Sequence, residues 1–439
     1  MRKIYSNRCW VNEKLQAATI SLEEELIVGV DFYRVQGAED FGNQIIMPGV
    51  IDIHVHINEP GRADWEGFET ATQAAAAGGT TTIVDMPLNS SPVSTTVEAF
   101  LQKLASSAGK MNVNCGFYGG LIPGNSHEIE GLINAGVVGV KCFLTHSGID
   151  EFPNVTEEHL NEAMPIIAKH NIPLLVHGEI DDGFRNELST NPTSYATYLK
   201  SRPKKWENDA IELMIRLSKK HNCWVHIVHV SSSDAIDMIE SAQLQGVKIT
   251  AETCAQYIYF NAEEIPDAST IYKCAPPIRE KSNNELLKSA LISGILTVVA
   301  TDHSPAPANL KEIESGNLHK AWGGIAGIQY LLQASWTRLQ GSMSLEQFIP
   351  LLTSNAAKMI GADLKKGKIA VGFDADLVIW EPEKSVVIAA SAALFKHKIS
   401  PYIGKKLNAT ITETIVNGNS VFINNSIKNF HKGKWLIQQ

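Results

Sequence analysis

Cysteine is scarce in this sequence: six among 439 residues, at 9, 115, 142, 223, 254 and 274, with no Cys-x-x-Cys pair. That density excludes a disulfide scaffold. Several of the six lie inside apolar runs, where a thiol behaves as a small hydrophobe, and a reducing cytoplasm is the expected compartment. Long hydrophobic runs are also missing; the longest are strand-length, well short of a membrane span. The opening MRKIYSNRCW is basic but leads into no apolar stretch, so no signal peptide is expected. Four Asn-x-Ser/Thr triplets, from Asn89, Asn154, Asn408 and Asn424, carry no weight without one. Positive charge is in deficit: the formal net charge is −9, and no Lys/Arg run could track a phosphate backbone, which argues against nucleic-acid partners. No G-x-S-x-G elbow and no G-x-x-x-x-G-K-[ST] loop occur, which removes serine-hydrolase and P-loop chemistry. No fixed-period repeat or low-complexity tract stands out.

What is present is an ordinary globular composition, 44% apolar and 19% charged. Eight short, β-branched apolar runs follow one another: Val50–Val55, Thr80–Asp85, Asn112–Tyr118, Val137–Phe143, Ile172–His177, Cys223–Val230, Val247–Thr253 and Ile295–Asp302. Helical periodicity fills most of the intervals, at Glu66–Ala77, Glu157–His170, Glu207–Lys220 and Asp234–Gln245, and again at Leu345–Ile360. The alanines at 74–77 suit a helix packed tightly on a sheet. Strands buried on both faces and alternating with helices predict an α/β fold, a (β/α)8 TIM-type barrel over 49–364. An open doubly wound sheet is the alternative, but the Gly-rich turn it usually carries after its first strand is absent. Residues 1–48 and 365–439 are β-rich and lack helical period, which predicts one small β-sandwich built from both chain ends. Gly323, Gly324 and Gly327 in AWGGIAGIQ read as a loop with tight helix packing.

The chemistry-bearing residues collect at the ends of these runs. His54 and His56 form an H-x-H at the end of the first, and side chains at i and i+2 share a strand face, a spacing that suits chelation of one cation. Taken alone, the pair reads equally well as two buried, hydrogen-bonded histidines. Lys141 ends the run GVVGV. Burial there would lower its pKa, and a neutral amine can take up CO2 as a carbamate that bridges two metals. A lysine snorkelling out of the barrel mouth is the plainer reading. His177 closes IPLLVHGE. In WVHIVHVSS, His226 and His229 compete for one role and, an odd number apart, should face opposite sides; His229 is nearer the strand end and is preferred. Asp302 closes ILTVVATD and could both bind a metal and exchange a proton; His303 should point away. Five strand ends, the first, fourth, fifth, sixth and eighth, thus present metal-ligand types toward one mouth. Such a set could hold two divalent cations, with a shared hydroxide between them.

The order H-x-H, lone Lys, His, His, Asp between two β-rich ends resembles the cyclic amidohydrolases, a group that includes dihydroorotases, hydantoinases (dihydropyrimidinases) and allantoinases. The likeness runs over nearly the whole chain. PGVIDIHVHINEPGRADWEGFETATQAAAAGGTTTIVDMPLNS, YKCAPPIRE, TDHSPAP, AWGGIAGIQ and GKIAVGFDADLVIW resemble the allantoinase branch. The resemblance implies a carboxylated Lys141 bridging two divalent ions, Zn or else Fe, Co or Mn. His54, His56 and Asp302 would hold one ion, and His177 and His229 the other. It also implies ring-amide hydrolysis of allantoin to allantoate, with Asp302 as the proton carrier. A hydantoinase, a dihydroorotase and a metal-free scaffold are the successive alternatives. The substrate is then a small cyclic amide, with neither nucleic acid nor membrane as partner, in a cytoplasmic homo-oligomer, a tetramer by likeness. Where dihydroorotases usually place an Arg two residues after the second His, this chain has Asn58, so the charge-assisted partner for a substrate carboxylate is missing. Asn58, Asn89, Ser304 and the backbone of Cys274–Pro276 are the expected substrate contacts. Two departures from the family pattern are Cys254-Ala255-Gln256-Tyr257 for C-P-H-Y and Thr145-His146-Ser147-Gly148 for Cys-Pro-Ser-Gly.

Overall fold

The computed structural model describes residues 1–183, 191–428 and 431–437. Eight parallel strands follow one another as the apolar runs predict, at Val50–Val55, Thr80–Asp85, Asn114–Phe117, Val140–Phe143, Leu174–His177, Val225–Ile227, Ile249–Cys254 and Val298–Ala300. Neighbours in sequence pair in parallel from the first to the third and from the fourth to the eighth. The two remaining gaps are bridged by backbone. Val138 N–H donates to Phe117 O (2.9 Å) and Gly119 N–H to Gly139 O (3.0 Å), while His56 N–H donates to His303 O (2.7 Å) and joins the last strand's extension to the first. The ring of strands therefore closes into a barrel.

Helices cover its outside. Phe68–Ala77 buries the alanines at 74–76, and a Cβ at Gly78 would stand 2.5 Å from Gln329 O, so the small residues are there because the helix comes close to its neighbours. Val140 and Cys142 join Leu160, Met164 and Ile167 of the helix Glu157–His170 in one apolar layer. Alternation then turns Lys141 to the barrel interior. One expected helix differs: Leu345–Ile360 is two, Leu345–Leu352 and Ser354–Met359, broken at Thr353, whose backbone (φ −131°, ψ −90°) lies outside the helical region.

The two ends combine in one nine-stranded sheet, whose main strands are Arg2–Val11, Lys14–Glu23, Leu26–Asp31 and Ile45–Pro48 with Leu377–Val387, Lys406–Val416 and Asn419–Ile423. The sheet curls back on itself. Ile27 N–H, on the far edge, donates to Phe373 O (2.9 Å), just ahead of Leu377–Val387, and the fold encloses its own apolar cluster of Ile4, Ile20, Ile46, Leu377 and Ile415. Passage from this sheet into the barrel occurs at Gly49, where a Cβ would stand 2.1 Å from the Thr81 side chain. The last described stretch leaves the sheet: Trp435–Leu436 pairs in parallel with Cys115–Gly116 of the third barrel strand, a return that the strand-like patterns at the chain end do not announce.

Candidate active site

The cavity at the carboxyl ends of the strands has a volume of about 670 Å3, and His54, His56, Asn89, His177, His229, Asp302 and Ser304 line it. His54, His56 and Asp302 bring one ligand atom each to within 4.8 Å of one another, all three side chains being buried. The His54 and His56 rings stand 5.7 Å apart, and Asp302 Oδ1 lies 3.3 Å from His54 Nε2 and 3.4 Å from His56 Nε2. Across the mouth the His177 ring stacks on Phe143 at 4.4 Å and meets His229 edge-on at 4.6 Å; His229 in turn stands 5.3 Å from His54. Lys141 is fully buried and, unlike these groups, is not among the residues that line the cavity; its Nζ stands 5.0 Å from the Phe143 ring centre, without a hydrogen-bond acceptor among the described residues.

Burial dominates the electrostatics. It lowers the Lys141 ammonium to about 8, against the opposing pull of Asp302 and Glu252. His56, His177 and His229 are held neutral by the same loss of solvent, His229 most strongly, with His177 and Lys141 adding to the effect there. Burial alone would raise Asp302, but the neighbouring His54 and His56 outweigh it and keep the carboxylate ionised. The site thus offers neutral imidazoles, an anionic carboxylate and an easily deprotonated amine, which is the donor set that divalent cations of intermediate softness select.

Several groups that fix these side chains are not evident in the sequence. Glu252 accepts from His54 Nδ1 at 2.6 Å and lies 3.3 Å from His226 Nε2, and His229 N–H points to the same carboxylate (3.3 Å). A carboxylate behind a ligand histidine sets its tautomer and its basicity. Across the mouth, Glu179 pairs with His177 Nε2 (2.8 Å) and, through both oxygens, with Arg202. Glu179 stands only two residues beyond His177, an acidic neighbour that could have marked it, although the strand ends at His177 and alternation no longer applies there. Glu252 carries no such mark.

The odd spacing of His226 and His229 does not send them to opposite faces. The strand ends at Ile227, and His229 adopts a left-handed backbone (φ +41°), which returns its ring to the mouth while His226 remains below, against Glu252 and Thr250. His303 points away as expected, with Nδ1 accepting from Gly327 N–H and Ile328 N–H. Among the expected substrate contacts, Asn89 and Ser304 line the cavity, and Asn89 Nδ2 reaches His56 Nδ1 at 3.3 Å. Asn58, Cys274 and Pro276 lie behind the wall. Asn58 donates weakly to Pro305 O (3.4 Å), and the carbonyls of Cys274 and Pro276 accept from Tyr198 and Tyr257. Ala275 reaches the cavity in their place, together with Tyr198, Arg202, Lys273 and Trp322.

Residues 45–421 match the model of the amidohydrolase family. Among characterised relatives, allantoinase of Arabidopsis thaliana is 39% identical over 95% of this chain and 87% of its own length. The allantoinase of Saccharomyces cerevisiae is also 39% identical, over 92% of this chain and 89% of its own. The chain belongs to the amidohydrolase family, on its allantoinase branch. Among solved structures, the L-hydantoinase (dihydropyrimidinase) of Arthrobacter aurescens superposes over both whole chains with a TM-score of 0.93 at 28% identity. The family assignment makes the protein a hydrolase of cyclic amides. Among the described residues no helix is long and apolar enough to cross a membrane.

Proposed function

We propose that the protein hydrolyses the hydantoin-ring amide of allantoin to give allantoate, with His54, His56, Asp302 and a carboxylated Lys141, together with His177 and His229, holding two divalent metal ions, zinc foremost. The observation that carries this reading is Lys141. A fully buried lysine with no acceptor would be costly if it served no purpose. Conversion to a carbamate turns that unpaired cation into an anion among histidines. When bound, the two cations supply a polarised ring carbonyl and a water acidic enough to attack near neutral pH.

The chain's own groups do the rest. Asp302 takes a proton from the attacking water at a carboxylate oxygen and delivers it to the departing ring nitrogen. Glu252 orients His54, and Glu179 orients His177, each through one ring nitrogen. Asn89 and Ser304 offer polar groups to the ring's edge. Asn58 contributes by what it is not: an Arg two residues beyond His56 is absent, which disfavours dihydroorotate even though Asn58 itself stays behind the wall.

The boundaries 1–48, 49–364 and 365–439, a homotetramer and a cytoplasmic location complete the reading. Six buried, unpaired thiols are compatible with a reducing compartment. The whole-chain likeness to a hydantoinase makes hydantoinase activity the second reading. The test is kcat/KM for allantoin, hydantoin, dihydrouracil and dihydroorotate on one metal-loaded preparation. Allantoin should lead, with dihydroorotate at least ~30-fold behind, from the low end of the cost of an unpaired anion. A lead for either dihydropyrimidine would overturn the assignment.

A further inference from the structure

Arg202 follows the helix Tyr195–Ser201 directly, with Pro203 after it, and its side chain lines the cavity. A residue ahead of proline is kept out of the helical region, and Arg202 leaves it (φ −129°, ψ +74°), which ends the helix there. One edge of the guanidinium is fixed: Nε donates to Glu179 Oε1 (3.0 Å) and Nη2 to Glu179 Oε2. The guanidinium carbon also stands 5.7 Å from the Trp206 ring centre. Glu179 is itself fully buried and holds His177 Nε2 at 2.8 Å, so only two hydrogen bonds separate the guanidinium from the His177 ring. The remaining nitrogen, Nη1, has no acceptor among the described residues, yet it is not sealed from solvent, and the side chain keeps 23% of its surface open. A guanidinium carries its N–H groups in a rigid fork, so fixing one edge also sets the direction of the donors left over.

We propose that Arg202 is a specificity-determining residue whose Nη1 donates a hydrogen bond to the exocyclic ureido carbonyl of the substrate. The inference rests on the allantoin reading above. Glu179 already neutralises the guanidinium, so the open nitrogen suits a neutral carbonyl better than a second anion, which would stand near the Glu179 carboxylate. A ureido group presents such an oxygen beyond the reacting ring, whereas unsubstituted hydantoin and dihydrouracil present none. Lys273, also in the cavity lining, turns its ammonium to Ala321 O and His319 O (3.4 Å) instead. Because Glu179 holds the guanidinium beforehand, little ordering is left for the moment of binding.

The experiment compares wild type with Arg202→Lys at equal metal content. Lysine keeps a cation for Glu179, but its one ammonium is drawn to that buried carboxylate and leaves no second donor in the cavity. The ratio of kcat/KM for allantoin to that for hydantoin should fall at least ~10-fold, the low end for a hydrogen bond from a charged donor. An unchanged ratio, including a parallel fall for both substrates through a disturbed His177, overturns the inference. A measurement on wild type alone guards against a variant that fails to fold. A hydantoin whose side group matches the ureido group in length but lacks its carbonyl should be at least ~10-fold poorer than allantoin, and equality overturns the inference. Failure of the underlying reading is distinguishable, since it appears as wild type that does not turn over allantoin at all, and it takes this inference with it.

Discussion

The two sides of the cavity floor differ in how far the protein satisfies its own polar groups. On the side of the first and eighth strands, His54 and His56 share Asp302 and His54 is braced by Glu252, so each of these three ligand-type side chains has a partner. On the side of the fourth and sixth strands, Lys141 Nζ and His229 Nδ1 are buried and bare. Native interiors seldom leave such atoms unpaired without a use for them. The first side is a finished arrangement that a cation can join, and the second is one that something must complete.

Lys141 is the sharpest way to break this comparison. Lys141→Ala should cost at least roughly 10^3-fold in kcat/KM, taking the several kcal/mol that metal-ion catalysis supplies, and most of the metal measured by elemental analysis. Lys141→Arg should be equally inactive, because a guanidinium forms no carbamate. Intact mass of the wild type should show the added CO2. Near wild-type turnover in either variant would mean that the bare amine is a structural accident.

Asp302→Asn tests the finished side. It keeps an oxygen but cannot titrate, so kcat should drop by at least ~10^2-fold with a smaller loss of metal. A drop of only a few-fold would assign the proton to another group. Glu252→Gln probes the support beneath His54, and metal affinity by competitive chelation should weaken by roughly 10- to 100-fold, the usual range for groups behind a ligand. Unchanged affinity would reduce Glu252 to a packing role.

Lys311 sharpens the contrast with Lys141, since it is a second buried lysine that does have acceptors. Burial lowers it to about 7 from the ordinary 10.5. Between those values the unfolded chain holds a proton that the folded chain has shed, so stability rises with pH across the window. From pH 7 to 9 Lys311 by itself should contribute about 2 kcal/mol by denaturant unfolding, and Lys311→Met should reduce the slope by that contribution. An equal slope in both proteins would contradict that account.

The barrel strands were legible because burial on both faces leaves unbroken β-branched runs, and His54, His56, Lys141, His177 and Asp302 were legible because each ends such a run. His229 lines the mouth, in keeping with its place near the strand end, but the parity that sets it opposite His226 is undone by its left-handed backbone. Periodicity holds only inside a regular element, and site residues stand where elements stop. The break at Thr353 is not legible for a related reason, since apolar spacing continues across it while the backbone does not.

What the sequence determined by itself is local: which segments are strands or helices, and which ligand-type side chains close the strands, all matters of near neighbours along the chain. Only the tertiary structure decided which groups meet from afar. Glu252 stands under His54 across 198 residues, the first strand donates its closing hydrogen bond to His303, and Trp322 is carried into the cavity wall by Lys311 and Lys273. Such contacts follow from closing the ring of strands, which sets distances that no spacing in the sequence encodes.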